Sequence, residues 1–253
     1  MLRKTFVHVP GIGKTVERSL WKQGCLDWDG YLSPGGSYST GSADRKAVRA
    51  FIEQSRDSLD AGAHQFFARS LGLREAWRAF EEFRHSCVYL DIETDGPATT
   101  MIGLYDGTSF KCLIKGENLE NIRDELSRYS MIVTFCGATF DLPILQKNFS
   151  GLNIDQIHLD LHPVLRKLGF RGGLKKIEKD LGIERPLEVA GLNGFDAMVL
   201  WRRYRGLDDI DALERAIAYN REDCVNLERL AEVAFERMQE VTLNPIQGKA
   251  LTL

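Results

Sequence analysis

Cysteine is scarce in this chain and badly placed for cross-linking. The five thiols, Cys25, Cys87, Cys112, Cys136 and Cys224, are odd in number, widely scattered and never in a CxxC pair. That excludes a disulfide framework and a paired-cysteine zinc site, and fits reduced thiols in the cytosol. Long apolar runs are missing too: none approaches the ~18 residues that a membrane span requires. The opening Met1-Leu2-Arg3-Lys4-Thr5 is not followed by the apolar stretch of a signal peptide. A cytoplasmic protein with no membrane partner is expected. Nor is there an excess of basic charge, since 33 Lys and Arg stand against 36 Asp and Glu for a net charge of -3. The broad basic footprint of a sequence-specific nucleic-acid binder is therefore lacking, and any polyanion must be held by a local patch or through bound metal. No internal repeat is present.

What the chain does have is enough apolar material, 43% over 253 residues, for one large domain or a domain plus a small module. Its most informative stretch is Cys87-Val88-Tyr89-Leu90-Asp91-Ile92-Glu93-Thr94. The period of a strand puts Val88, Leu90 and Ile92 on one face and Tyr89, Asp91 and Glu93 on the other. Two carboxylates side by side on a half-buried face need cations or strong donors to meet them. A divalent metal is one answer; an edge strand with a solvated acidic face is the other.

Taken in order, the chain opens with Val9-Pro10-Gly11-Ile12-Gly13-Lys14 ahead of a helical pattern. Residues 5–32 resemble a helix-hairpin-helix module, whose glycines expose backbone N–H groups to phosphate. A plain Gly-rich turn with Val9 and Ile12 packed into a small core explains the same residues. Residues 33–43, Ser33-Pro34-Gly35-Gly36 onward, look like a flexible linker, and helical spacing then runs to Arg84, with aromatic residues expected in a core. A helical N-terminal region over 1–84 is thus expected. Strands follow at 100–105 and 109–114 around the turn Asp106-Gly107, then a helix at 119–129, a strand at 131–135 and a helix from Phe140. One more short strand is expected at 156–160, several short helices up to Arg205, and a long helix from Asp208 to Glu240. This order predicts an α/β fold, a ribonuclease H-like mixed sheet flanked by helices over 85–240, followed by a C-terminal tail at 241–253.

Two further acids sit at telling places. Asp141 opens the helix after the strand at 131–135, where a helix cap is the ordinary explanation. In Tyr219-Asn220-Arg221-Glu222-Asp223 the i,i+4 spacing puts Tyr219 and Asp223 on one helix face. His158 and His162 straddle Asp160, which reads either as a helix start or as a transition-metal site.

Together, Asp91-Ile-Glu93-Thr, Thr134-Phe-Cys-Gly-Ala-Thr-Phe-Asp141 and Tyr219-Asn-Arg-Glu-Asp223 resemble the three motifs of the DEDDy branch of the 3′-5′ exonucleases. Asp160-Leu-His-Pro, Gly173-Leu-Lys-Lys-Ile-Glu, Leu181-Gly-Ile-Glu-Arg and Leu200-Trp-Arg-Arg-Tyr are similar to the YprB-type ribonuclease H-like family. The resemblance covers about Ser86 to Met238. It implies a metal-dependent 3′-5′ exonuclease acting on single-stranded nucleic-acid ends, DNA ahead of RNA, with Asp91, Glu93, Asp141, Tyr219 and Asp223 as catalytic residues. The four carboxylates would hold two Mg²⁺ or Mn²⁺ ions, hard cations suited to oxygen ligands, about 4 Å apart. Tyr219, with an ordinary pKa near 10, would be neutral and orient the attacking water. Nucleic acid is expected along Gly11, Gly13, Lys14, Thr94, Arg171, Lys175 and Lys176, although a basic run such as Arg166 to Lys176 is also what a solvated helix face looks like. One departure is that Cys136 stands where the family commonly has Asn, which puts the turn ahead of Asp141 in question. A structure-specific endonuclease of the same fold and a non-catalytic nucleic-acid-binding module are the rival readings.

Overall fold

The structure, a computed structural model, describes the backbone of residues 1–247 and the side chains of residues 1–243. It divides into two compact units, one of residues 1–85, 155–158 and 235 onward, the other of residues 86–154 and 159–234.

The first unit contains helices α1 (Lys14–Lys22), α2 (Trp28–Leu32), α3 (Arg45–Asp60), α4 (His64–Ser70) and α5 (Phe80–Phe83). Its aromatic residues are core: Trp28, Phe67, Trp77 and Phe80 are all at most 1% exposed. A buried carboxylate ties the leader down, as Glu17 accepts from the Thr5 hydroxyl at 2.8 Å, from Phe6 N–H at 2.7 Å and from both terminal nitrogens of Arg78 at 3.0 Å. Burial of so many polar groups is tolerated because the carboxylate is met by a cation and several donors. Residues 33–43 carry no regular element, yet they are not the flexible linker expected from composition. Thr40 is 3% exposed, and Arg45 pins the segment by donating to Tyr38 O at 2.6 Å. Local hydrogen bonds order what a turn-rich composition made look loose.

The second unit is built on β1 (Cys87–Asp95), β2 (Ala98–Tyr105) and β3 (Phe110–Ile114), followed by α6 (Ile122–Leu126), β4 (Met131–Thr134) and α7 (Asp141–Asn148), and the chain continues with β5 (Ile157–Asp160), whose last two residues belong to this unit. Helices α8 (Leu161–Lys167), α9 (Leu174–Asp180), α10 (Leu187–Ala190), α11 (Gly194–Leu207) and α12 (Ile210–Gln247) complete the chain. Helix α12 runs through residues expected to be a tail, so the tail reading of 241–253 is corrected as far as residue 247; 248–253 lie outside the described residues.

The sheet order is β3-β2-β1-β4-β5, with β1 antiparallel to β2, β2 antiparallel to β3, and β1 parallel to β4. This is an α/β fold with a mixed sheet flanked by helices. Strand β1 lies in the middle, which removes the alternative of a solvated edge strand. Val88, Leu90 and Ile92 face Ile122 and Leu126 of α6 and Leu142 and Leu145 of α7. On the opposite face Met101 of β2 packs with Leu200 and Trp201 of α11 and Ala212 and Ala216 of α12. Each fully buried Leu or Ile stabilises the fold by about 1.5–3 kcal/mol, so both faces are strongly specified.

Two local features bring helix α12 and the β4–α7 turn to the acids. Gly103 lies opposite Asp91 in the β1–β2 register, and a Cβ there would run into the Asn220 side chain and come within 2.6 Å of Cys224 Sγ. Only glycine lets α12 approach the sheet at that point. In the turn after β4, Cys136 has φ 65°. One carboxylate holds that strained turn: Asp160 accepts from Cys136 N–H at 2.9 Å, Ala138 N–H at 3.1 Å and His162 N–H at 3.0 Å, the last as the N-cap of α8. Asparagine tolerates the left-handed region better than cysteine does. Cys136→Asn is therefore expected to raise stability by up to about 1 kcal/mol, or ~2–4 °C in melting temperature; a lowered denaturant midpoint would show that the thiol makes contacts worth more than the backbone strain.

Candidate active site

The strand period that puts Val88, Leu90 and Ile92 into the core sends Asp91 and Glu93 to the face covered by α11 and α12. A register shift follows Glu93 in the β1–β2 ladder, the kind of irregularity that re-aims side chains. From α12 comes Asp223, one turn after Tyr219. Oxygens of Asp91, Glu93 and Asp223 all lie within 4.8 Å of one another, the only such group of three metal-type donors among the described residues. Glu93 and Asp223 are 7% and 6% exposed, whereas Asp91 keeps some surface in a cleft of about 330 Å³ lined also by Phe135, Leu174, Lys175, Lys176 and Tyr219.

Asp141 is placed differently. It opens α7 and is 2% exposed. Its Oδ1 accepts from Ile92 N–H at 3.2 Å, so part of its hydrogen-bonding capacity is spent on the backbone between Asp91 and Glu93. It stands outside the tight group of three, though its charge is felt there: it helps raise the pKa values of both Asp91 and Glu93.

Electrostatics define what the site lacks. Burial pushes Glu93 up to about 8, reinforced by the charge of Asp223. Asp141 is pushed up to about 7, again by burial first. Asp91 is raised well above the usual carboxylate range by burial and then by Asp223, Asp141 and Glu93. These are carboxyls that oppose one another's ionisation because too few cations and donors meet them. Asn220 supplies one donor, its Nδ2 lying 2.9 Å from Asp91 Oδ2. Burial also lifts the Tyr219 hydroxyl above its ordinary value, followed by the charges of Asp223, Glu93 and Asp91, so it stays neutral. Lys175 reaches this cluster, donating to Leu192 O and to Tyr219 Oη at 3.2 Å, with its ammonium 4.4 Å from the Tyr219 ring centroid.

A protein-family model, RNase_H_2, described as RNase_H superfamily, matches residues 88–235, more than half of the chain. The chain belongs to the RNase H superfamily. Its family domain coincides with the sheet unit, and the acids lie within the matched span. Neither a curated protein nor a solved structure matches the chain. For an RNase H superfamily domain a nuclease activity and a nucleic-acid substrate follow at the coarse level, and no helix among the described residues is long and apolar enough to cross a membrane. The donor set fits a divalent metal. Three crowded carboxylates offer only hard oxygen, and a cation among them would relieve the mutual repulsion that raises their pKa values.

The residues expected to meet nucleic acid are dispersed. Lys175 and Lys176 line the cleft, but Lys176 is also paired with Asp180 at 2.7 Å. Arg171 is exposed and donates to the carbonyls of Arg166 and Phe170. Thr94 follows the register shift in β1. Gly11, Gly13 and Lys14 belong to the first unit, where Gly11 has φ 82°, Gly13 is the N-cap of α1, and Lys14 Nζ pairs with Glu75. His158, Asp160 and His162 are not among the grouped metal-type donors of the described residues; Asp160 accepts from three backbone N–H groups and His162 packs on Phe135 with ring centroids 5.2 Å apart.

Sequence reasoning quoted Arg185 and Glu178 within motifs but gave them no role. They form a buried network here. Arg185 grips Glu178 through Nε at 2.7 Å and Nη2 at 2.6 Å, and the same Nη2 lies 2.5 Å from Asp223 Oδ1. Nothing in the spacing of residues 178, 185 and 223 announces the contact; only the packing of α9 and its following loop on α12 makes it.

The raised carboxyl values carry a sign. A group whose folded pKa exceeds its unfolded value lends stability at low pH and loses it as pH rises through the folded pKa. For Glu93 that window runs from about 4.5 to about 8. In chelator, the melting temperature is therefore expected to fall more steeply over this window in the native chain than in Glu93→Gln, and excess Mn²⁺ is expected to remove the difference in slope. Parallel melting curves across this window would show that Glu93 is not strained.

Proposed function

We propose that this RNase H superfamily protein is a metal-dependent 3′-5′ exonuclease that hydrolyses phosphodiester bonds at single-stranded ends, DNA ahead of RNA. The observation that carries the proposal is the cluster of Asp91, Glu93 and Asp223, with Asp91, Asp223 and a neutral Tyr219 lining one cleft. Those three carboxylates, with Asp141 beside the Ile92 backbone, would hold Mg²⁺ or Mn²⁺, two ions in the family reading. Such ions supply Lewis acidity, lowering the pKa of water and offsetting charge on a phosphoryl group.

The chain's own residues do the rest. Tyr219 stays a neutral phenol, not the phenolate that a proton-stripping base would require, and offers a fixed hydroxyl, held beside Lys175, that orients a water for in-line attack. Lys175 places a positive charge at the cleft, where it meets a backbone phosphate. A cleft of about 330 Å³ is at the small end of ligand-sized pockets and suits a chain terminus better than a continuous duplex. In the first unit the turn Gly11-Ile12-Gly13 presents the N-terminus of α1 as a second phosphate contact. Because Lys14 is engaged by Glu75, that contact rests on backbone N–H groups more than on the lysine.

The test is a time course on 5′-labelled single strands of DNA and RNA in Mg²⁺, Mn²⁺ or chelator. A ladder shortening from the 3′ end is expected, abolished by chelator, reduced at least ~10³-fold in Asp91→Ala and ~10²-fold in Tyr219→Phe. Cleavage of a circular single strand, which has no end, would establish the endonuclease instead. Binding with no cleavage of either polymer or of a branched duplex would leave a non-catalytic module.

A further inference from the structure

The acid cluster already contains a cation, and the way that cation is held is uneven. Arg185, its side chain 5% exposed, is fixed on Glu178 by two aligned hydrogen bonds, and Glu178, 2% exposed, is itself backed by Asn226 Nδ2 at 3.1 Å. Toward Asp223 the guanidinium makes a close charge contact of 2.5 Å, yet Asp223 Oδ1 has no partner in hydrogen-bond alignment. Arg185 Nη1 is likewise buried without one. Two aligned hydrogen bonds tie the guanidinium to Glu178 and a single contact ties it to Asp223, so the half facing the cluster is the one that can be exchanged.

We propose that Arg185 is the resident counter-ion of the acid site, a positioning residue that holds Asp223 until a divalent ion takes it over, with Glu178 setting how firmly. The proposal rests on the metal-site reading above. A guanidinium beside Asp223 competes with an incoming cation, since both draw on the same carboxylate. Glu178 tempers the competition by neutralising most of that charge and keeping the guanidinium plane turned to itself. The charge count is consistent with exchange. Glu178 offsets much of the charge of Arg185, so the guanidinium opposes an arriving ion less than an unpaired one would. Without Glu178, Arg185 would swing its full charge onto Asp223 and weaken the ion's hold. Without both, the competitor is gone and Asp223, having lost the guanidinium beside it, is left to the incoming ion.

Two opposite signs follow, and they separate this role from a merely structural one. Mn²⁺ binding to the whole chain, followed by loss of the free-ion electron paramagnetic resonance signal at fixed pH and ionic strength, needs no substrate. Glu178→Gln is expected to weaken binding about tenfold, the scale on which one nearby unit charge acts. The double variant Glu178→Gln with Arg185→Met is expected to bind several-fold more tightly than the native chain. Arg185→Lys, which keeps the charge, is expected to stay near native. Circular dichroism melts establish that each variant is folded, and if Glu178→Gln alone does not fold, the double variant decides. Weaker binding in the double variant overturns the proposal, because it is what loss of a simple anchor for Asp223 would give. Unchanged affinity in all variants overturns it as well, while leaving the metal site intact. Failure of the native chain to bind Mn²⁺, with no change in Asp91→Ala, overturns the metal-site reading itself.

Discussion

Mutual repulsion among buried carboxylates on the central strand is the constraint to which the second unit answers. A strand in the middle of a sheet is the least hospitable place for acids, because both neighbours and both faces exclude water. Asp91 and Glu93 are nevertheless there, and Asp223 is brought to them by the longest helix of the chain. Several features make sense only as accommodations of that choice. Gly103 gives way so that Asn220 can reach Asp91, a half-buried lysine sits across Tyr219, and an arginine is stationed beside Asp223. A fold optimised for stability alone would place apolar residues at these positions, as the opposite face of β1 does with Val88, Leu90 and Ile92.

Position on the sheet also explains how different chemistry arises from residues of the same type. Asp141, Asp160 and Asp223 are all buried or nearly so, each at the edge of a helix or on one. Asp160 is met by three backbone N–H groups and is a structural tie for the turn that carries Asp141. Asp141 is met by the N–H of Ile92 and its own, yet burial keeps its pKa high. Asp223 is met by charge from Arg185 and Lys175. Donor supply, not residue identity, grades these acids from structural to reactive.

Much of this was legible in the sequence, and the parts that were not share a physical cause. The period-two pattern of residues 87–94 fixed which side chains of β1 share a face, and the Asp106-Gly107 signal located the β2–β3 hairpin. Both are local, decided by neighbours two to four residues away. Composition at 33–43 reports turn propensity and not the hydrogen bonds made there, in which Arg45 donates to Tyr38 O and Gln23 Oε1 accepts from Ser39 N–H. The helical pattern reads only as far as Glu240 and the rest as a tail, yet α12 continues to Gln247. The partnership of Glu178, Arg185 and Asp223 was invisible for a further reason. It joins a helix, a loop and another helix across 45 residues, and no periodicity relates them.

The strained turn at Cys136 shows how tightly local conformation and site chemistry are joined here. A left-handed residue reverses the chain within a few positions of the end of β4, so that α7 starts with Asp141 pointed back at the Ile92 amide. Gly137 follows it, and any side chain there would collide with Thr134 on the preceding strand. The chain thus has no freedom to relax at either position, and Asp160 supplies the hydrogen bonds that make the reversal stable. Backbone strain of about 1–2 kcal/mol at a non-glycine residue is retained because the geometry it enforces sets Asp141 beside the other acids. The Cys136 side chain brings no strong hydrogen-bonding group of its own to the reversal. The turn therefore leans more heavily on Asp160, and the placement of Asp141 depends on a carboxylate that itself takes no part in the cluster.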